Sequence, residues 1–272
     1  MPKRLSRASR PARYLFSALL ILALGGCQTT GIEDITGALG GKSDAASKAD
    51  ARPDMDALRE RFRARPSDPN IALEYGKALR ETGQRAQAVA VLEQAVLGHP
   101  SNKALLAGYG RALADNGNFQ RAFDVLTKAH SPDNPDWRIL SVQGTALDQL
   151  GRHDDARRYY ASALQIVPEE PSVLSNLGLS YVLSRDLPKA EETLRRAYGS
   201  ARADARVRQN LGLVVGLQGR FSEAESIVKA DLPAEEAAAN VAYLKQMLAR
   251  KDNPRPGRGP LPMPVAALDR PD

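Results

Sequence analysis

Residues 137–170 read WRILSVQGTALDQLGRHDDARRYYASALQIVPEE, and this stretch serves as a ruler for most of the chain. Its markers are Gly144, Leu147, Gly151, Ala156, Tyr160, Ala163 and Pro168. At an offset of 34 residues towards the N-terminus, the same places hold Gly110, Leu113, Gly117, Ala122, Leu126 and Ala129. One more step back gives Gly76, Leu79, Gly83, Ala88, Leu92, Ala95 and Pro100. Forward steps give Gly178, Tyr181, Ala190, Leu194 and Ala197, then Gly212, Val215, Gly219 and Ala224. The register does not slip from residue 69 to about residue 230.

A strict period of this length marks stacked helix–turn–helix units, the tetratricopeptide array. The expected fold is therefore all-α, a right-handed superhelical solenoid. Glycines 76, 110, 144, 178 and 212 fall inside the first helix of each unit. Glycine there costs roughly 1 kcal/mol relative to alanine. Its recurrence predicts a steric cause, with the second helix crossing at that point. Alanines 88, 122, 156, 190 and 224 read the same way, and a leucine there should overpack by about 1–3 kcal/mol. Gly83, Gly117, Gly151 and Gly219 lie between the paired helices, where a left-handed residue ends the first one. Arg185 takes that place in the fourth unit, so this turn is expected to depart from the pattern, and Pro188 follows in the first turn of the next helix, where proline is tolerated.

The units run 69–102, 103–136, 137–170, 171–204 and a shortened one from 205 to 232. Ahead of them, residues 55–68 read as a capping helix or half-repeat, with Leu58 and Phe62 on one side. Behind them, residues 233–250 read as a closing helix with Val241, Leu244 and Leu248 in one stripe. A stack needs such a helix to cover its last apolar face. Residues 251–272 are rich in proline and glycine, which predicts a disordered or polyproline tail. That tail is either a solvated end or a ligand for another envelope component.

The chain opens with Lys3, Arg4, Arg7, Arg10 and Arg13, followed by a largely apolar run from Tyr14 to Leu24. The run is too short for a spanning helix, which needs roughly 20 residues, but it suits a secretion signal over residues 1–26. It ends Leu24-Gly25-Gly26-Cys27, and Cys27 is the chain's single cysteine. This sequence resembles the lipobox of bacterial lipoproteins. The resemblance implies diacylglyceryl transfer to the Cys27 thiol, cleavage after Gly26, and acylation of the new amino end. Two or more acyl chains hold a protein firmly to a leaflet. Gln28 rather than aspartate follows, which by resemblance to lipoprotein sorting implies the periplasmic face of the outer membrane. Residues 27–54 then read as a flexible tether rich in Gly, Ser, Ala and Asp.

Charge bears on the choice of partner. The formal net charge is +6, but five of those positive charges belong to the signal segment, which leaves +1 for the rest. Near-neutrality argues against nucleic acid, whose binding rests on clustered Lys and Arg. Catalysis finds little support. His99, His130 and His153 occupy unrelated places in different units and form no paired ligand spacing. With Cys27 acylated no thiol is left. Asp154-Asp155 and Glu191-Glu192 start second helices, where they suit the helix dipole. No metal or cofactor is expected. An enzyme of cell-wall metabolism is disfavoured, because no catalytic domain has room outside the array.

Such an array binds other chains along an extended concave surface. In tetratricopeptide arrays the wall comes from places 2, 5, 6, 9 and 12 of each unit. Here those places include Lys77 and Arg80, Arg111, then Arg138, Ser141, Thr145 and Asp148. Asn176 and Asn210 occupy place 6 of the fourth and fifth units, and Asn240 could continue the series. Two roles fit these amides: gripping the backbone of an extended peptide, or bonding between repeats and capping helices. The full lysine–asparagine carboxylate clamp of chaperone-binding arrays is absent, which disfavours a receptor for C-terminal tails.

A lipobox, a short tether, five repeats and the closing Ala-Glu-Glu-Ala-Ala-Ala-Asn-Val-Ala-Tyr-Leu-Lys segment together resemble the TadD-like lipoproteins of tight-adherence (Flp) pilus assembly. That resemblance spans residues 14 to about 250. It implies an assembly factor at the outer membrane with protein partners such as the pilus secretin, in a pilotin-like role. A general envelope adaptor, for outer-membrane protein assembly or protease recruitment, is the alternative.

Overall fold

A computed structural model describes residues 54–131 and 133–252 of the chain. The expected signal segment, Cys27, the tether before residue 54 and the tail beyond residue 252 lie outside the described residues. Among the described residues there are twelve helices, no strand, and one isolated bridge between Ser131 and Asn134. α1 spans Met55–Ala64. Five helix pairs follow: α2 (Pro69–Glu81) with α3 (Arg85–Gly98), α4 (Lys103–Asp115) with α5 (Phe119–Ala129), α6 (Trp137–Gln149) with α7 (His153–Ile166), α8 (Pro171–Leu183) with α9 (Leu187–Tyr198), and α10 (Ala205–Leu217) with α11 (Phe221–Val228). α12 (Ala234–Asp252) closes the order. The fold is an all-α solenoid, and the shortened fifth unit owes its length to α11, which has only 8 residues.

Local chemistry explains the starts of the first helices. The side chains of Asp68, Asn102, Asp136 and Asp204 accept backbone N–H bonds from the first turns of α2, α4, α6 and α10. Each cap is worth about 1 kcal/mol. Glu170 holds the equivalent position before α8 but makes no side-chain cap. Pro171 follows it at the first position of α8, where a missing N–H is harmless. Glu170 instead pairs with Arg202 at 2.9 Å.

The ends of the first helices repeat as well. Gln84, Asn118, Arg152, Asp186 and Arg220 each send their N–H back to the carbonyl five residues earlier, the long bond of the Schellman motif. The residue before each is left-handed: Gly83, Gly117, Gly151 and Gly219 at φ of 75–82°, and Arg185 at φ 62°. A left-handed non-glycine costs roughly 1 kcal/mol, which is partly offset by the extra freedom glycine has when unfolded. Arg185 is exposed. Arg185→Gly is therefore expected to stabilise the array by about 0.5 kcal/mol, read as a higher urea midpoint at unchanged slope. A lower midpoint would contradict this account of the turn.

The helical glycines are explained by their neighbours. A Cβ on Gly76, Gly178 or Gly212 would lie 2.6 Å from Leu92 Cγ, Leu194 Cγ or Val228 Cγ1, and one on Gly144 would lie 2.6 Å from Tyr160 Cε1. Gly110 stands closer still to Leu126. All five place a bare backbone against the residue 16 positions later, on the paired helix. Alanines 88, 122, 156, 190 and 224 are fully buried or within 1% of it. At the ends, Leu58 of α1 is buried against α2 with Phe62 and Tyr75 in ring contact at 5.4 Å. Val241 and Leu244 of α12 are buried at the other end, with Leu248 packed beside Leu213. A Cβ on Gly216 of α10 would lie 2.6 Å from Leu244 Cδ2.

Candidate peptide-binding wall

First helices touch one another along the stack: α2 meets α4, α4 meets α6, α6 meets α8, and α8 meets α10. Second helices contact their own partner and the next first helix, with little direct contact between successive second helices. The first helices thus crowd on one side and form a continuous inner wall.

The cationic part of the wall lies in the first three repeats. Lys77 is exposed and stands 3.8 Å from Glu81 on its own helix. Arg80 donates through Nε to Asp115 Oδ2 at 2.6 Å, which ties α2 to α4. Arg111 is half-buried and makes no hydrogen bond or ion pair among the described residues. Burial holds its guanidinium below the usual arginine value. The charge of Asp136 opposes that shift, those of Arg80 and Arg138 reinforce it, and Asp115 opposes it more weakly. Arg138 is exposed, with its guanidinium carbon 4.4 Å from the centroid of the Trp137 ring. Three successive first helices therefore bring Arg80, Arg111 and Arg138 into one electrostatic neighbourhood.

The polar part of the wall separates the two roles left open for its amides. Asn210 is buried and donates through Nδ2 to Ser175 Oγ at 2.8 Å. Asn176 is half-buried and donates through Nδ2 to Ser141 Oγ at 3.1 Å. The two bonds are rungs of one kind, each joining place 6 of a unit to place 5 of the unit before it. Of the two roles open to these amides, bonding between repeats is the one the geometry contains. Asn240 is half-buried on α12, with no such bond among the described residues. Thr145 is half-buried and donates to the carbonyl of Ser141 at 3.1 Å.

Asp148 departs furthest from its expected position on an open wall. It is 6% exposed. Its Oδ2 accepts from Tyr160 Oη at 2.9 Å, and its Oδ1 accepts from Ser180 Oγ at 2.8 Å and faces His153 Nδ1 at 3.0 Å. Burial pushes the Asp148 carboxyl up, and the bonds from His153, Ser180 and Tyr160 only partly reverse it. Burial and the neighbouring Asp148 charge push the Tyr160 phenol well up. This cluster joins α6, α7 and α8, the seam of the third and fourth repeats. Its carboxylate, phenol and serine are buried, with only His153 partly exposed, and it acts as a polar staple. Sequence reasoning missed it, although a signal was there. Place 24 is Leu92, Leu126, Leu194 or Val228 in the other units but Tyr160 in the third, and place 10 is Ala78, Ala112, Ala146 or Val214 but Ser180 in the fourth.

The histidines stay apart. His99 bonds the carbonyl of Ser67 and His130 bonds Gln143, while His153 belongs to the staple. Among the described residues no group of three His, Cys, Asp or Glu side chains could hold a metal. No described helix is long and apolar enough to cross a membrane.

Comparison with known proteins agrees with this architecture. The family model described as Tetratricopeptide repeat matches residues 73–136, 121–171 and 141–206. Residues 73–206 form tetratricopeptide repeats. The chain is similar to a thermophilic tetratricopeptide protein of Thermus thermophilus at 19% identity and TM-score 0.58, over 66% of this chain and 100% of that one. It is also similar to a tetratricopeptide repeat protein from Parabacteroides merdae at 15% identity and TM-score 0.57, over 80% of this chain and 89% of that one. A chain of the APC/C hetero-tetramer Cut9–Hcn1 aligns at 16% identity and TM-score 0.60, over 74% of this chain and 40% of its own length. At these identities the likeness is one of fold. No curated protein sequence matches the chain.

Proposed function

We propose that this chain is a lipid-anchored scaffold of the bacterial envelope that holds an extended segment of another protein along its inner wall. One observation carries the binding part of this reading: consecutive first helices touch and leave Lys77, Arg111 and Arg138, at wall places of their units, without partners from other helices among the described residues. A repeat fold of this kind is a scaffold for protein interaction. Leu24-Gly25-Gly26-Cys27 supports the anchor, because two or more acyl chains on Cys27 would retain the array at a leaflet. The resemblance to tight-adherence lipoproteins supports outer-membrane placement and a role in Flp pilus assembly, with the secretin as partner. The alternative, a general envelope adaptor, rests on the same wall and anchor and differs only in the partner.

Cys27→Ser tests the anchor. The variant is expected to leave the membrane pellet after a carbonate wash, or to accumulate unprocessed, whereas the parent chain stays with the outer membrane. Retention of mature Cys27→Ser protein in the washed membrane would sink the lipoprotein reading. A photo-crosslinking residue at Thr145, followed by mass spectrometry, tests the partner. Secretin peptides support the pilus role, and other envelope proteins support the adaptor.

A further inference from the structure

We infer that the wall at α2, α4 and α6 selects an extended peptide segment through its Asp or Glu side chains, with Arg111 as the central contact. The inference rests on the protein-binding reading above and adds the chemistry of the ligand. Arg111 is half-buried yet makes no bond to any described residue. Its two acidic neighbours are occupied elsewhere. Asp115 accepts from Arg80 at 2.6 Å, and Asp136 caps α6 by accepting from the Arg138 N–H at 2.8 Å. A guanidinium has five N–H donors in a planar fork, and a partly desolvated one gains most from a carboxylate that meets it bidentately.

Two neighbours make the site more than a single charge. Arg138 projects from the next first helix and its guanidinium lies over the Trp137 ring. Its donors make no hydrogen bond to any described residue, and the ring beneath it is itself packed against the core formed by Leu140, Leu147 and Val173, which fixes the guanidinium's support. An acidic side chain would use both cations, since its carboxylate meets Arg111 and Arg138 beside Trp137. Lys77 and Arg80, one repeat earlier, already stand beside carboxylates, Glu81 and Asp115, which leaves Arg111 and Arg138 as the cations open to a ligand. A C-terminal carboxylate is not required, and the side chains of an internal segment suffice.

Trp137 is the chain's single tryptophan, so the proposed contact carries its own fluorescent reporter. The test uses the full-length chain in detergent and a set of labelled decapeptides, each holding two Asp or Glu among Ala, Ser and Leu. Each has a twin with Asn or Gln in place of the acids. Acidic peptides are expected to bind about tenfold tighter than their twins at low salt and to change Trp137 emission, with the preference shrinking as salt rises. Arg111→Gln should reduce the preference to about one, and Arg138→Gln, at an exposed position that folding does not need, should lower it roughly threefold. Arg85→Gln, on a second helix, should leave it intact. Equal binding of acidic and amide twins, or an unchanged preference in both Arg111→Gln and Arg138→Gln, overturns the inference. Equal binding of the twins leaves peptide binding standing, whereas the scaffold reading itself fails only if no protein crosslinks to the wall.

Discussion

Asp148→Ala is expected to destabilise the array by about 3 kcal/mol and to split its unfolding into two phases. The substitution removes the acceptor shared by Tyr160 Oη, Ser180 Oγ and His153 Nδ1. A buried donor left without a partner costs about 1–3 kcal/mol. Ser180 is fully buried and loses its acceptor side chain, while Tyr160, 1% exposed, keeps only its longer bond to Thr145 Oγ1 at 3.3 Å. His153 is less affected because its side chain is 26% exposed. The location decides how the loss appears. In a solenoid each repeat contacts only its neighbours, so stability is close to a sum of unit and interface contributions. Weakening the seam between α6–α7 and α8–α9 should let the two sides melt separately. Hydrogen exchange resolved by segment would show α8–α11 opening without α2–α5. A single cooperative transition at the parent midpoint would refute the staple.

Asp148→Asn separates shape from charge. The amide keeps the volume and one acceptor oxygen, so the loss should be about 1 kcal/mol. The pH dependence carries a definite sign. The native carboxyl is held above its ordinary value, chiefly by burial, so across that window the native state binds a proton more readily than the unfolded chain does. Acidification through the window therefore adds stability at this site, and the contribution is lost as pH rises past the native value. The parent chain should gain on its Asn variant as pH falls through the upper carboxylate range. The difference in urea midpoints between the two proteins measures this directly.

The period alone carried the fold. Five glycines in register could be read as close helix crossings because a bare backbone inside a helix is unfavourable unless something fills the space, and Leu92, Leu126, Tyr160, Leu194 and Val228 fill it. The turn at Arg185 is misread from sequence as a departure from the pattern because glycine is missing there, yet φ is 62° and the same long bond, from the Asp186 N–H to the Tyr181 carbonyl, closes it. The wall was harder to read. Places 2, 5, 6, 9 and 12 locate a side chain on a helix face, but neighbours decide whether it stays available. Arg80 and Arg111 share that wall, yet only Arg80 has Asp115 within bonding distance. The choice between two roles for Asn176 and Asn210 stayed open because their partners, Ser141 and Ser175, lie 35 residues earlier, one more than the repeat length. A search confined to equivalent places could not pair them. The aspartate and asparagine caps at 68, 102, 136 and 204 stand in register at four of the five units, with Glu170 the exception, and needed only the tally that the glycines received.

Gly110→Leu is expected to cost more than about 3 kcal/mol, whereas Gly83→Ala should cost only about 1 kcal/mol. The two glycines differ in what surrounds them. At Gly83 an added Cβ meets nothing within 4 Å, and the penalty is the left-handed φ of 78° alone. At Gly110 the backbone is helical and suits any residue, but the space is taken by Leu126, whose branching carbon stands where a Cβ would go. Leu126 is itself fully buried and cannot swing into solvent. Gly110→Ala gains roughly 1 kcal/mol of helix propensity against about 1–3 kcal/mol of overpacking, so it should be mildly destabilising. Leucine adds three more carbons with nowhere to go, and α4 must part from α5. A double-mutant cycle isolates the cause. Leu126→Ala alone should cost about 2–5 kcal/mol through the cavity it leaves, and pairing it with Gly110→Ala refills part of that cavity. The double variant should be more stable than the sum of the singles by at least about 1 kcal/mol. Additive losses would mean that the recurring glycine is kept for some reason other than the crossing of α4 and α5.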